Sequence, residues 1–131
     1  MVAEKLECMV RLGVANSRMK DFYDVWLLSR LFEFDGRTLC KAVSRTFKCR
    51  STPLPSGLPT AFTDEFRKDA RKQTQWRAFV RQSRPEDGPG SIDAVIGDVA
   101  AFLAPVMKAT QENEQFFMLW PQRGSWSDLI D

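Results

Sequence analysis

Hydrophobic residues recur at helical spacing along most of the chain. Leu6, Met9 and Val10 lie at i, i+3 and i+4, which predicts a first helix over residues 2–12. Gly13 follows directly, and glycine readily adopts the backbone conformation that ends a helix. The chain therefore begins with a short amphipathic helix and a turn.

Two further helices are predicted in the first fifty residues. Asn16 or Ser17 can cap a second helix that runs to about residue 32 and is apolar around most of its circumference. A break at Asp35 and Gly36 precedes a third helix, whose apolar residues recur at i, i+3, i+4, i+7 and i+8. These residues are Leu39, Ala42, Val43, Thr46 and Phe47.

A proline-rich loop separates the third helix from the next helical stretch. Residues 51–59 contain three prolines and one glycine, so no helix is expected to enter them. Thr63 then begins a helical stretch that is either continuous or broken near Asp69.

The last part of the chain contains the longest predicted helix and an aromatic tail. Ser91 caps this helix, and Pro105 is expected to kink it or end it early. The tail carries large apolar side chains that are expected to pack against the helices or to cover a partner. They are Phe116, Phe117, Leu119, Trp120 and Trp126.

These patterns predict an all-α fold, a bundle of about five helices. The 131 residues are expected to form a single helical domain, with loops near residues 51–60 and 84–91 and the aromatic tail over residues 112–131. Alternating strand patterns longer than a few residues are absent.

Composition excludes several classes of chemistry. The chain has no histidine, so it contains neither a Ser-His nor a Cys-His nucleophile pair, and its three cysteines form no CxxC motif, so no metal site is expected. A signal peptide and a membrane-spanning run are also absent from the sequence, which favours a cytoplasmic protein without membrane contact.

Charge is unevenly distributed along the chain. Residues 1–50 carry ten Lys or Arg against six Asp or Glu, whereas residues 91–131 carry two against six. The basic front can attract phosphates, and it also suits an ordinary solvated helix face.

The densest polar cluster lies at the start of the second helix. Asp21 and Asp24 are i, i+3 neighbours, and Arg18 and Lys20 lie near the positive end of the helix dipole, where a phosphate is favoured. The turn at residue 13 can bring Lys5 back to this cluster. The same charges also suit a network of salt bridges within the chain.

Several short motifs lie along the chain. Residues 3–6 read Ala-Glu-Lys-Leu, and Arg18, Lys20-Asp21 and Asp24 form an R-x-KD-x-x-D pattern. An F-D-G-x-x-L segment (34–39), a T-P-L-P loop (52–55), a Q-W-x-x-F helix (75–79) and the tryptophan-bearing tail follow. Together these motifs resemble those of the AbiEii/AbiGii nucleotidyltransferase toxin family, the toxin side of type IV toxin–antitoxin systems.

This resemblance implies transfer of a nucleoside monophosphate from a nucleoside triphosphate (NTP) to an acceptor such as tRNA, with Mg²⁺ as cofactor. It implies catalytic roles for Lys5, which would bind NTP phosphates, and for Asp21. Arg18, Lys20 and Asp24 match supporting nucleotide- or phosphate-binding positions. The chain would then be equivalent to the C-terminal helical domain of the family.

The acidic pair that binds magnesium in the family follows a Gly-Gly or Gly-Ser turn as Asp-x-Asp or Asp-x-Glu. This N-terminal motif has no counterpart in the 131 residues, so we expect this chain alone to be inactive and to bind neither Mg²⁺ nor NTP tightly. A separate N-terminal core and an antitoxin are accordingly candidate partners.

Two other interpretations stay open. A basic helical front with Arg18, Tyr23 and Trp26 suits an RNA-binding module without enzymatic activity. Alternatively, an apolar patch around Met9, Phe22, Trp26 and the aromatic tail would be covered by a second copy in a homodimer.

Overall fold

The computed structural model describes residues 1–85 and 88–128, and in them six α-helices and a small β-sheet. The predicted all-α helical bundle is confirmed. Residues 86–87 of the predicted second loop and residues 129–131 of the predicted tail lie outside the described residues. The helices are α1 (Val2–Leu12), α2 (Met19–Leu31), α3 (Gly36–Cys49), α4 (Asp64–Arg67), α5 (Ala70–Ser83) and α6 (Ile92–Gln111), with 3₁₀ turns at Gly13–Ala15 and Thr60–Phe62.

The junction between α1 and α2 follows from two local features. Gly13 has a φ of 52°, a backbone conformation that is strained for a residue with a side chain. It ends α1, as the sequence predicts. The second helix begins later than predicted, at Met19, because Asn16 Oδ1 accepts a hydrogen bond from the backbone N–H of Arg18 (2.8 Å), outside the helix.

Aspartate and serine side chains fix the starts of three helices. Asp35 Oδ1 accepts from the N–H groups of Arg37 and Thr38 at the start of α3. Asp69 accepts from the N–H of Lys72, so the stretch after Thr63 is broken into α4 and α5, and the helices number six rather than about five among the described residues. Ser91 caps α6, as predicted.

Helix α6 continues past Pro105 to Gln111, so the expectation of an early end is wrong. Proline removes one backbone donor, but apolar residues on both sides of it are buried, and their burial offsets that loss. They include Phe102, Leu103, Val106 and Met107. Packing against α2 and α3 places α6 at the centre of the core.

Within the described residues, no helix is both long enough and apolar enough to cross a membrane.

A three-stranded antiparallel sheet joins the tail to the bundle, and the sequence did not predict it. The strands are β1 (Phe34–Asp35), β2 (Met118–Trp120) and β3 (Ser127–Asp128), in that order. Phe34 pairs with Trp120, and Met118 pairs with Asp128. The strands have two or three residues each, too few for an alternating pattern to show.

The two tryptophans of the tail pack against the helices of the same chain. Trp126 Nε1 donates to the carbonyl of Phe102 (2.7 Å), and Trp120 Nε1 donates to the carbonyl of Ser29 (2.8 Å). The Trp126 ring stacks on that of Phe102 at 5.8 Å between centroids.

The expected apolar patch around Met9, Phe22 and Trp26 is therefore wrong. Met9 and Phe22 are fully buried, Trp26 is nearly so, and Trp26 Nε1 donates to Asp98 on α6. These side chains lie in the core because the aromatic tail and α6 complete it. Self-association stays a prediction, but the exposed apolar patch from which it was argued is not present among these residues.

Candidate functional site

Two carboxylates at the start of α2 form the centre of the candidate site. Asp21 and Asp24 project from the first two turns of the helix, and the side chain of Asp21 is only 6% exposed. A carboxylate at this depth requires charged or hydrogen-bonding partners, because burial without them is costly.

Lys5 bridges the two carboxylates from α1. Its ammonium nitrogen lies 3.0 Å from Asp21 Oδ1 and 3.1 Å from Asp24 Oδ2, and its side chain is 19% exposed. Burial opposes the charged form of the lysine, but the hydrogen bonds and charges of both aspartates outweigh it and raise the pKa of Lys5. Lys5 is thus held as a cation at the junction of two helices.

Two more cations complete the cluster from the solvent side. Arg18 Nε donates to Asp21 Oδ2 at 2.8 Å, and this hydrogen bond and the adjacent charge raise the pKa of Arg18. Lys20 Nζ lies 2.8 Å from Asp24 Oδ2 and is largely exposed. Three cations therefore surround two carboxylates, which leaves the cluster with a net charge of about +1.

The structure brings together all five predicted site residues, which we name the Lys5 cluster: Lys5, Arg18, Lys20, Asp21 and Asp24. The prediction that Lys5 meets the α2 residues is confirmed. Their catalytic and phosphate-binding roles stay predictions.

A buried lysine that contacts the turn before α2 was not predicted. Lys72 of α5 is 4% exposed, and its Nζ donates to the backbone carbonyl of Asn16 at 2.7 Å. Burial lowers the pKa of Lys72. Asn16 is also fully buried, and its side-chain nitrogen has no hydrogen-bond partner in the part of the chain that the structure describes. Because Lys72 has an ordinary helical position in the sequence, only the tertiary fold reveals this contact.

A second charged network, also not predicted, ties α1 to the end of α3. Glu7 is fully buried and accepts hydrogen bonds from Arg11, Arg50 and Thr52 at 2.9, 2.6 and 2.7 Å. Burial alone would raise the pKa of Glu7, but these hydrogen bonds outweigh it and lower the pKa. The network fixes the helix from which Lys5 projects.

The carboxylates of the Lys5 cluster do not fit Mg²⁺. Both oxygens of Asp21 already accept from cations, Lys5 and Arg18, and Asp24 Oδ2 lies within 3.1 Å of two ammonium groups. An Mg²⁺ ion needs several free oxygen ligands in octahedral geometry, and these contacts leave at most one such oxygen, Asp24 Oδ1. Over residues 1–85 and 88–128, no group of three or more Cys, Asp or Glu side chains is arranged to hold a metal ion.

What the cluster offers instead is cationic donors at a helix junction. An ammonium has three N–H donors, and Lys5 directs two of them to the aspartates. A guanidinium has five, of which Arg18 directs one to Asp21. The remaining donors, near the N-terminal end of α2, suit the oxygens of a phosphate.

Comparison with known families agrees with this chemistry. The family described as nucleotidyl transferase AbiEii toxin, type IV TA system, matches residues 1–104, which include α1 to α5, most of α6 and the whole Lys5 cluster. Comparison with curated proteins and with solved structures gives no significant match. Because the family match covers far more than half of the chain, this protein belongs to the AbiEii nucleotidyl transferase toxin family of type IV toxin–antitoxin systems.

Proposed function

We propose that the Lys5 cluster binds the phosphates of an NTP in a nucleotidyltransferase that transfers a nucleoside monophosphate to an RNA acceptor such as tRNA. The observation that carries the proposal is the Lys5 ammonium, held between Asp21 and Asp24 at 3.0 and 3.1 Å. Two of the three N–H donors of this ammonium are directed to the aspartates, and the third is the donor that we assign to a phosphate oxygen.

The transfer reaction defines what these residues have to do. An acceptor hydroxyl oxygen forms a bond to the α-phosphorus, the bond from that phosphorus to the β-phosphate oxygen breaks, pyrophosphate leaves, and the hydroxyl proton passes to a base. Most of the rate enhancement in such reactions comes from positioning and charge neutralisation. Lys5 and Arg18 would neutralise and position phosphate oxygens, while Asp21 and Asp24 hold both cations in place.

We further propose that the isolated chain does not complete the transfer. The family's Asp-x-Asp or Asp-x-Glu motif after a glycine-containing turn is not among the 131 residues, and the Lys5 cluster does not fit Mg²⁺. The expected result with labelled NTPs, Mg²⁺ and total tRNA is no incorporation above background. Incorporation that Asp21→Ala abolishes would contradict this part of the proposal.

Nucleotide binding is the direct test of the cluster. With a fluorescent NTP analogue, we expect weak but saturable binding by the wild-type chain, and we expect Lys5→Met and Arg18→Ala each to weaken this binding at least tenfold. Lys68→Met, at the residue directly after α4, is the matched control, because Lys68 is exposed and has one weak ion pair at 3.9 Å. Circular dichroism shows whether each variant is folded. Equal affinity of the wild type, Lys5→Met and Arg18→Ala would refute the assignment.

Membership of a toxin–antitoxin family also makes an antitoxin the expected protein partner. We propose that a cognate antitoxin suppresses the effect on growth of the active toxin, which is this chain together with the N-terminal core that it requires. Growth of cells that express this chain with that core, in the presence or absence of the candidate antitoxin, tests this, and identical growth inhibition in both cases would count against it.

A further inference from the structure

Helix α3 carries four cations on its solvent side and contains no acidic residue. Arg37, Lys41, Arg45 and Lys48 recur at i, i+4, i+8 and i+11, and all four are exposed. At a rise of about 1.5 Å per residue they form a line roughly 16 Å long. We call these four residues the basic stripe.

An open groove of about 550 Å³ lies beside the first half of the basic stripe. Arg37 and Lys41 line one side, and Asn113, Gln115 and Phe117, from the segment after α6, line the other. Phe117 is 45% exposed, and the Arg37 guanidinium lies 5.1 Å from the centroid of its ring. Cations, amide groups and an exposed aromatic ring therefore meet in one groove.

Two carboxylates partly offset the positive charge at the Arg37 end of the basic stripe. Asp35 lies 3.9 Å from Arg37 Nε, and Glu114 lines the groove. Lys41, Arg45 and Lys48 form no ion pair among the described residues. Three of the four cations are thus available to an external anion.

We propose that the basic stripe and this groove bind single-stranded RNA, with phosphates along α3 and one base stacked on Phe117. Regularly spaced cations beside an exposed aromatic ring and amide groups are what single-stranded RNA requires, because its bases are free to stack and its phosphates are regularly spaced. An acidic protein would also bind the cations, but its carboxylates would make no use of the exposed ring of Phe117.

A membrane surface is a poorer fit for the same helix. A helix that lies in a bilayer interface inserts its apolar face among the lipids. The apolar face of α3 is already in the protein core, where Leu39, Val43 and Phe47 are buried. Only the polar side of α3 is free to contact a partner.

The inference rests on the proposed function in one respect, namely that the bound RNA is the acceptor of the transfer. The basic stripe with its groove and the Lys5 cluster are nevertheless separate sets of residues. Arg50, directly after α3, contacts Glu7 of α1, so the basic stripe ends beside the helix that carries Lys5. Nucleotide binding and RNA binding can therefore be lost independently.

The test measures fluorescence anisotropy of a labelled single-stranded RNA of about twelve nucleotides with the full chain at several salt concentrations. Each phosphate contact to a single strand contributes a slope of about −0.7 to a plot of log K against log salt, so contacts to the three unpaired cations predict about −2.1. Lys41→Gln/Arg45→Gln should reduce this slope to about a third and weaken binding at least tenfold. Phe117→Ala should weaken binding at least fivefold and leave the slope unchanged.

The matched control is Arg77→Gln/Arg81→Gln, which removes the same charge from exposed positions on α5. The proposal predicts little change in this control. An equal loss of RNA affinity in both double variants would overturn it, as would displacement of RNA by poly-glutamate at equal charge concentration, which would indicate an acidic protein partner.

The same variants separate this inference from the proposed function. Lys5→Met should keep RNA binding, and Lys41→Gln/Arg45→Gln should keep binding of the NTP analogue. Loss of analogue binding in Lys41→Gln/Arg45→Gln with unchanged RNA affinity would overturn the RNA assignment. Loss of RNA binding in Lys5→Met, with folding intact, would also overturn it.

Discussion

Replacing Lys5 with methionine removes one charge from the Lys5 cluster and keeps a straight side chain of similar length. Asp21 and Asp24 would then lose the ammonium that lies 3.0 and 3.1 Å from their oxygens. Arg18 and Lys20 would remain as one cation for each carboxylate. The substitution therefore isolates the contribution of the bridging cation to stability.

The size of the effect follows from distance and burial. Two unit charges about 3 Å apart attract by roughly 5 kcal/mol at an effective dielectric constant of about 20, but most of this is offset by the loss of hydration. Exposed pairs contribute about 0.5 kcal/mol, and breaking a buried pair costs about 3–5 kcal/mol. Because Lys5 is 19% and Asp21 6% exposed and two cations remain, we expect a loss of about 2 kcal/mol.

Urea unfolding followed by circular dichroism measures this loss. Lys20→Met is the matched control, because Lys20 contacts the same Asp24 but is 74% exposed, and it should cost no more than about 0.5 kcal/mol. Equal destabilisation by Lys5→Met and Lys20→Met would refute the argument from burial.

The pH dependence gives an independent check. The folded-state pKa of Lys5 is raised, so its stabilisation is fully present below the unfolded-state pKa of about 10.4 and is lost as pH rises through the folded-state pKa. Wild-type protein should therefore lose stability above about pH 10.4 more steeply than Lys5→Met does.

Three further predictions concern the scaffold. The pKa of Glu7 is lowered, so its stabilisation is present above the unfolded-state pKa of about 4.3 and is lost as pH falls through the folded-state pKa. In urea unfolding at a series of pH values, Glu7→Gln should therefore lose less stability on acidification than the wild type does. An equal loss in both proteins would contradict this prediction. Gly36→Ala places a Cβ 2.7 Å from the carbonyl oxygen of Phe116 and should cost about 1–3 kcal/mol in thermal unfolding, unlike Gly57→Ala, where space is open. Trp126→Phe loses the hydrogen bond to the Phe102 carbonyl and should cost about 1 kcal/mol, and equal stability would show that the tail contact is dispensable.

Local signals predicted most of the helical fold. Gly13 ends α1 and Ser91 caps α6 because both effects act within a few residues. The expectation that Pro105 ends α6 early was wrong, since the apolar neighbours that stabilise α6 beyond it are buried by distant parts of the chain. The sheet was missed for a similar reason: β1 and β2 pair across more than eighty residues, and each is too short to show a pattern.

The candidate site was predictable where it followed helical spacing and a family motif. Lys5, Asp21 and Asp24 came together because a short turn joins their helices. Lys72 and Glu7 were missed, since their sequence neighbours are those of ordinary solvated helix positions and their burial depends on tertiary packing.

The expectation of an exposed apolar patch was wrong because the apolar residues of a helix do not by themselves indicate which other elements cover them. Met9, Phe22 and Trp26 are core residues, covered within the chain by partners such as Phe66 and Asp98. The tail was expected either to pack against the helices or to cover a partner, and the first of these is confirmed, because Trp120 and Trp126 close the core beside Phe102.

The central claim is that the Lys5 cluster binds NTP phosphates, and a nuclear magnetic resonance titration of the isotope-labelled chain with a non-hydrolysable NTP tests it most directly. We expect shifts concentrated in the amides and side chains of residues 3–8 and 16–25, and their loss in Lys5→Met. Shifts confined to α3 and the groove beside Phe117, or an unchanged titration in folded Lys5→Met, would contradict the claim.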